Sequence, residues 1–252
     1  IRARMRVAQA LLKGDPSQAQ KSMALPFESV VQFIGSMDDL ARIGVIRVPI
    51  LGSQGAYRPL QPGELPPPGA ELVVVDPAAA KPIAEKWAEH EIEFLRTIDS
   101  IYPYVPEIST TLFEWYDLLQ DQTQDAEAKK RYVKGALEWA QKSVDRNPRQ
   151  AWCHQWLAEA LLLSGNERQG EAAVQNFRRA IAEYAKARDL YPISPLTWNN
   201  LGLARQKVGE AFAQTEELKA EAPALIEQGR KDHERAQQLE QERRRAGMDP
   251  FG

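Results

Sequence analysis

One helical pattern occurs twice between residues 136 and 209, and it constrains the fold more than any other feature of the chain. In its clearer copy, Ala180 and Ala187 flank Tyr184. The two small residues allow one helix to lie close to another, and the tyrosine fills the space between them. Pro192 then ends the helix, because proline lacks a backbone donor and clashes with the preceding turn.

The helix that follows Pro192 has a tryptophan, a leucine and a glycine on one stripe, and a second glycine lies further along the same helix. These residues are Trp198, Leu201, Gly202 and Gly209. We expect Gly209 to cap the C-terminus of this helix. The upstream copy of the pattern consists of Ala136, Ala140, Pro148, Leu157, Ala158, Leu161 and Gly165. Both copies therefore predict helical hairpins that pack in series.

This order of residues resembles the tetratricopeptide repeat (TPR) family, whose unit is a helix pair of about 34 residues. The resemblance covers residues 107–245 and implies a mainly α fold, an α-α superhelix of TPR-like hairpins. The repeats are over-long and irregular, since Pro148 and Pro192 are 192 − 148 = 44 residues apart. The surplus lies in residues 166–175, and it is either a backward extension of the second helix or a polar loop.

The chain divides into three parts by local pattern. Residues 1–77 are an irregular N-terminal region of short helices, two β-type runs at 45–51 and 72–75, and a Pro-rich extended segment between them. That segment is either part of a two-stranded ribbon or an arm that lies along the helices. Residues 78–245 form the TPR-like repeat domain, and residues 246–252 are a flexible tail.

Composition excludes several classes of protein. Across 252 residues, 32 Lys and Arg balance 35 Asp and Glu, so nothing indicates binding to nucleic acid. Cys153 is the single cysteine, which excludes an internal disulfide. No apolar run approaches the roughly 20 residues of a transmembrane helix. We therefore expect a soluble chain, cytoplasmic or envelope-associated, whose compartment the sequence does not define.

No catalytic, metal-binding or cofactor-binding motif is found. His90, His154 and His233 share no local motif, and we expect His154 to be structural rather than a ligand. The glycines near residue 52 lack the lysine of a phosphate-binding loop. We therefore predict no catalytic residues, no metal site and no cofactor, and the chain is not expected to be an enzyme.

The resemblance also implies a groove along the first helix of each pair, where members of the family hold a peptide or a partner helix. The implied partner-binding residues are Trp152, Gln155, Glu159, Leu162, Leu196, Asn199, Leu203 and Gln206. Burial of the apolar ones against the N-terminal region is the alternative. Gln155 and Glu159 stand where family members that grip a C-terminal carboxylate have lysine and asparagine, so that form of binding is not expected.

Two functions are compatible with these patterns. The first is a non-catalytic scaffold or adaptor that binds a protein or peptide partner and supports complex assembly. The second is an accessory domain of a larger membrane-bound enzyme of the polysaccharide polymerase or glycosyltransferase type. The start at Ile1, with Arg2, Arg4 and Arg6 directly after it, motivates the second hypothesis, in which a missing N-terminal segment associates with the membrane.

Overall fold

The computed structural model describes residues 2–12, 23–50, 56–61 and 64–246. Within these residues the chain forms ten α-helices and four short strands, so the prediction of a mainly α fold is confirmed. Backbone contacts divide the chain into two compact units. The first comprises residues 1–101 and 118–124, and the second comprises residues 102–117 and 125–252.

The first unit combines four helices with a small antiparallel sheet. Its helices are α1 (Arg2–Leu12), α2 (Phe27–Phe33), α3 (Met37–Ile43) and α4 (Pro77–Ile101). Its strands are β1 (Met23–Pro26), β2 (Gly44–Pro49), β3 (Tyr57–Pro59) and β4 (Glu71–Val74), in the order β1-β4-β2-β3. Instead of a two-stranded ribbon or an arm, the Pro-rich region thus belongs to a four-stranded sheet. Strand β3 was missed because it has only three residues, all of them exposed.

Local signals set the ends of the short helices. The Ser36 hydroxyl accepts a hydrogen bond from the Asp39 backbone amide and so caps the N-terminus of α3. The same Asp39 is largely buried, and its carboxylate accepts a hydrogen bond of 3.0 Å from the Trp87 indole on α4. Helix α4 begins at the predicted domain boundary near residue 77, and it packs against α1 and α3. The three-part domain division stays a prediction.

The second unit is built from consecutive long helices. They are α5 (Pro106–Gln122), α6 (Ala126–Arg146), α7 (Ala151–Asn166), α8 (Gly170–Leu190), α9 (Pro195–Ala213) and α10 (Ala222–Arg245). Residues 118–122 at the end of α5 group with the first unit. Helix α7 packs on α8, and α9 packs on α10. The surplus after Gly165 is mostly helical, because α8 begins at Gly170 and has 21 residues.

The helices of the second unit follow one another as three pairs, α5 with α6, α7 with α8 and α9 with α10. The first helices of these pairs recur at a nearly constant interval. They begin at residues 106, 151 and 195, so the intervals are 151 − 106 = 45 and 195 − 151 = 44 residues. Leu112, Leu157 and Leu201 follow the same intervals, and each is at most 1% exposed. The irregularity is confined to the second helices, which begin at residues 126, 170 and 222. The repeat is therefore regular along its first helices and about ten residues longer than a TPR unit.

The prediction that Gly209 caps a helix is wrong. Helix α9 continues to Ala213, and turns occupy residues 214–221. Gly209 lies within α9, where a Cβ atom would come to 2.7 Å from Ile226 Cγ1 on α10. The glycine therefore allows α10 to pack closely against α9. In the described part of the chain, no helix is both long and apolar enough to cross a membrane.

Candidate partner-binding groove

A cavity of about 270 Å³ lies between α7, α8 and α9 in the second unit. We call it the α7–α9 cavity. Its walls combine aliphatic and aromatic carbon with a few polar groups. It is lined by Glu159, Leu162, Leu163, Asn166, Phe177, Tyr184, Asn200, Leu203, Ala204, Lys207, Val208 and Ala211. Cavities of this composition are typical of binding sites, although this one lies at the small end of the usual size range.

Helical periodicity brings the lining residues of α7 and α9 to the cavity. On α7 they lie at positions 159, 162, 163 and 166, which are spaced as one face of a helix. On α9 the positions 200, 203, 204, 207, 208 and 211 are spaced in the same way. Leu157 and Leu161 on α7, and Leu201 on α9, are at most 1% exposed and anchor these helices in the core. Ala204 and Val208, each 1% exposed, belong both to the core and to the wall of the cavity.

Glu159 is an exposed residue that lines the cavity. Partial desolvation of its carboxyl group, together with repulsion from the Asp117 carboxylate on α5, raises the pKa of Glu159 to about 7, although the Lys207 ammonium acts in the opposite direction. Near neutral pH, the carboxyl group is therefore divided between its charged and neutral forms.

Tyr184 contributes a phenol from α8. The residue is only 6% exposed, and it lines the cavity. Burial, followed by the negative charges of Glu159 and Asp117, raises the pKa of the phenol above its ordinary value. The hydroxyl group therefore stays protonated and can both donate and accept a hydrogen bond.

The structure brings three of the eight predicted partner-binding residues together and places the others elsewhere. Glu159, Leu162 and Leu203 line the α7–α9 cavity. Trp152 packs edge-on against Trp156 with ring centroids 4.6 Å apart. Gln155 is half-buried on α7.

The remaining three predicted residues lie on the side of α9 that faces α10. Leu196 and Asn199 line a second, more open cavity of about 540 Å³ with His233. The Asn199 and Gln206 side-chain oxygens lie 3.1 Å and 3.3 Å from the two ring nitrogens of His233. The partner-binding role of all eight residues stays a prediction.

Tyr184 and Lys207 line the cavity, but they were not among the predicted site residues. Tyr184 was identified only as a residue that fills space between helices. Lys207 lies next to Gln206 in sequence, but only Lys207 faces the cavity.

His154 is a structural residue of the α7–α8 pair. Its side chain is buried, with Nδ1 2.6 Å from Glu183 Oε2, and its Nε2 donates a hydrogen bond of 2.9 Å to the Pro148 carbonyl oxygen. Burial raises the pKa of the neighbouring Cys153 thiol to about 12, which disfavours a reactive thiolate. Among the described residues, no group of three His, Cys, Asp or Glu side chains is arranged to hold a metal ion.

Comparison with known proteins identifies a similar solved structure. No protein-family model matches the chain, and no curated protein sequence matches it. A crystal structure of a thermophilic TPR protein from Thermus thermophilus is similar over 57% of this chain and 81% of that one, with 21% sequence identity and a TM-score of 0.39. The helical-repeat architecture is established by the equivalent helix pairs themselves.

Proposed function

We propose that the second unit is a non-catalytic, TPR-like scaffold that binds an extended segment of a protein partner in the α7–α9 cavity and so supports complex assembly. Successive first helices of repeat proteins commonly form a continuous binding surface. Here residues of α7 and α9 line one concave surface together. The observation that supports the proposal most strongly is the exposed apolar carbon of this surface.

Leu203 is the clearest example of that carbon. It is 42% exposed, although it lies in the middle of a helix whose neighbouring residues Leu201 and Ala204 are almost fully buried. An exposed leucine beside a cavity gains free energy when a partner covers it. Among the residues that line the cavity there is no Ser, Thr, Cys or His that could act as a nucleophile or its base. This composition supports binding rather than catalysis.

The test uses a leucine of equal exposure as a control. A phage-displayed library of random peptides is selected on the wild-type chain, and the recovered peptides are synthesised and titrated against two variants. Leu203→Gln makes the cavity wall polar, while Leu190→Gln changes a leucine that is also 42% exposed but lies outside the cavity. Glutamine and leucine have similar helix propensities, so both variants are expected to fold.

We expect Leu203→Gln to weaken binding about tenfold, as the loss of one well-buried apolar contact would, and Leu190→Gln to leave it unchanged. Equal effects of the two substitutions would contradict the proposal. Failure to recover any peptide that the wild-type chain binds would also contradict it.

A further inference from the structure

The connection between β3 and β4 carries the most exposed large apolar side chain in the described part of the chain. This side chain is Leu65, which is 87% exposed. A single exposed leucine is ordinary on a protein surface, so its exposure alone does not indicate a binding site. What distinguishes Leu65 is that the chain on both sides of it is held in place.

The residue before Leu65 is fixed by an ion pair. The Glu64 carboxylate accepts two hydrogen bonds from the Arg58 guanidinium, at 2.7 Å and 2.5 Å, and one of 3.0 Å from the Gln61 backbone amide. The hydrogen bonds from Arg58 and then Gln61 lower the pKa of Glu64 to about 2, so its carboxylate is charged at neutral pH. A bidentate pair also fixes the orientation of the carboxylate. Because Arg58 belongs to β3, this pair joins Glu64 to the sheet.

A turn fixes the chain after Leu65. The Ala70 backbone amide donates a hydrogen bond of 3.1 Å to the Pro67 carbonyl oxygen, and Gly69 has a φ of 84°. Pro68 and Gly69 therefore occupy the central positions of a type II turn, the second of which requires a positive φ. The Ala70 carbonyl oxygen accepts a hydrogen bond of 2.9 Å from the backbone amide at the start of α2. The segment is thus anchored at both ends.

Three consecutive prolines restrict the chain between these anchors. Proline fixes its own φ at about −65° and disfavours the helical conformation of the residue before it. Leu65, Pro66 and Pro67 each precede a proline, so they favour an extended conformation, and residues 64–67 belong to no helix or strand. A segment that is already extended and restricted loses little conformational entropy when it binds.

The segment accepts hydrogen bonds but has few to donate. Pro66, Pro67 and Pro68 have no backbone N–H, although each has a carbonyl oxygen. A partner must therefore supply donors beside an apolar surface, and Trp and Tyr side chains combine a large ring with an N–H or O–H donor. Grooves lined by such rings bind proline-rich segments in this extended form. The charges of Arg58 and Glu64 cancel in their ion pair, so they do not favour an anionic lipid surface instead.

We propose that residues 64–68 are a docking segment, in which Leu65 and Pro66 insert between the aromatic rings of a groove on a partner protein. The backbone carbonyl oxygens of the segment accept hydrogen bonds from Trp or Tyr side chains of that groove. This contact belongs to the first unit and does not involve the α7–α9 cavity. It therefore goes beyond the proposed function, because it gives the scaffold a second kind of partner.

The experiment titrates the full chain with purified domains of three classes that bind extended proline-rich segments, namely SH3, WW and EVH1 domains. We expect at least one of them to bind the wild type. Leu65→Gln should weaken this binding about tenfold, because it removes one apolar contact that the groove buries. Leu190→Gln changes an exposed leucine of the second unit and should leave the binding unchanged.

The upstream anchor is tested by a double-mutant cycle. Arg58→Gln and Glu64→Gln break the same ion pair, so each should weaken binding about threefold, and the double variant should bind no more weakly than either. Additive effects of the two substitutions would overturn the role of this pair as an anchor. Pro66→Ala should also weaken binding, because it removes the restriction on Leu65.

Three results would overturn the docking segment. The first is that no domain of the three classes binds the wild type, and the second is binding that Leu65→Gln leaves unchanged. The third is that Leu65→Gln abolishes self-association of the chain, or its binding to phosphatidylcholine vesicles, because Leu65 would then contact a different partner. Leu203→Gln should not affect the binding of the domains, so failure of the α7–α9 cavity as a groove would remain distinguishable.

Discussion

At the scale of single residues, a buried histidine shows how one side chain joins several elements. His154 belongs to α7, its Nδ1 contacts Glu183 on α8, and its Nε2 bonds to the Pro148 carbonyl in the connection before α7. Lys186 completes the cluster by donating to Glu183 at 2.9 Å. Burial raises the pKa of Glu183, but the hydrogen bonds from Lys186 and His154 outweigh it, so the net shift is downward.

We predict that His154→Ala destabilises the chain by about 2 kcal/mol, because it leaves the buried Glu183 carboxylate and the Pro148 carbonyl without a partner that they have in the wild type. Urea unfolding followed by circular dichroism measures the change. His90→Ala is the control, since His90 is exposed on α4. Equal stabilities of the two variants would show that the histidine cluster does not support the fold.

At the scale of elements, α9 and α10 approach more closely than side chains would allow. A Cβ added to Gly202 would lie 2.8 Å from the Gly229 carbonyl oxygen, and one added to Gly229 would lie 2.7 Å from the Gly202 carbonyl oxygen. The two glycines therefore face each other at the crossing of the helices. Arg205 and Asp232 form an ion pair of 2.6 Å across the same interface.

We predict that Gly229→Ala destabilises the chain by about 1 kcal/mol. The added methyl group meets backbone at the crossing, and overpacking of this kind costs about 1–3 kcal/mol, more than the roughly 1 kcal/mol that alanine gains from its helix propensity. The adjacent Gln228→Ala introduces the same residue on the exposed side of α10 and should be neutral or slightly stabilising. A gain in stability at position 229, measured by thermal unfolding, would contradict this account of the crossing.

Sequence patterns predicted most elements but could not assign the roles of particular glycines. Ser36 and the prolines that end helices act through local geometry, which is visible in sequence. A glycine that ends a helix and one that permits a close crossing look alike in sequence, so Gly209 was assigned the wrong role. Its neighbours Ala222 and Ile226 lie more than ten positions away, and their contact with it depends on tertiary packing.

The candidate site was predictable to the extent that it follows the repeat interval. Glu159 and Leu203 line the cavity from equivalent positions of successive first helices, since 159 + 44 = 203. Leu162 also lines it, although its equivalent on α9, Gln206, does not. Asn199 and Gln206 lie beside His233 instead, because α10 packs closely along that side of α9. The way in which α10 packs on α9 thus decides which of the predicted residues lie together. The periodicity of a single helix does not predict this packing.

At the scale of the whole molecule, the described residues combine a first unit with a small sheet and a second unit of repeated helix pairs. The interval of 45 and then 44 residues makes α5, α7 and α9 equivalent, and residues of α7 and α9 that are far apart in sequence converge on one cavity. Glu159 and Leu203 belong to successive repeats in this way, since 159 + 44 = 203. The proposed function follows from this convergence rather than from any single motif.

Photo-crosslinking followed by mass spectrometry can show where a peptide binds on the second unit. A peptide recovered from the library is synthesised with a benzophenone group at its centre, and the sites of attachment on the full chain are mapped. We expect attachment to α7 and α9 at residues that line the cavity, with loss of attachment in Leu203→Gln but not in Leu190→Gln. Attachment confined to the first unit or to the exposed face of α10, and unchanged in Leu203→Gln, would contradict the proposed function.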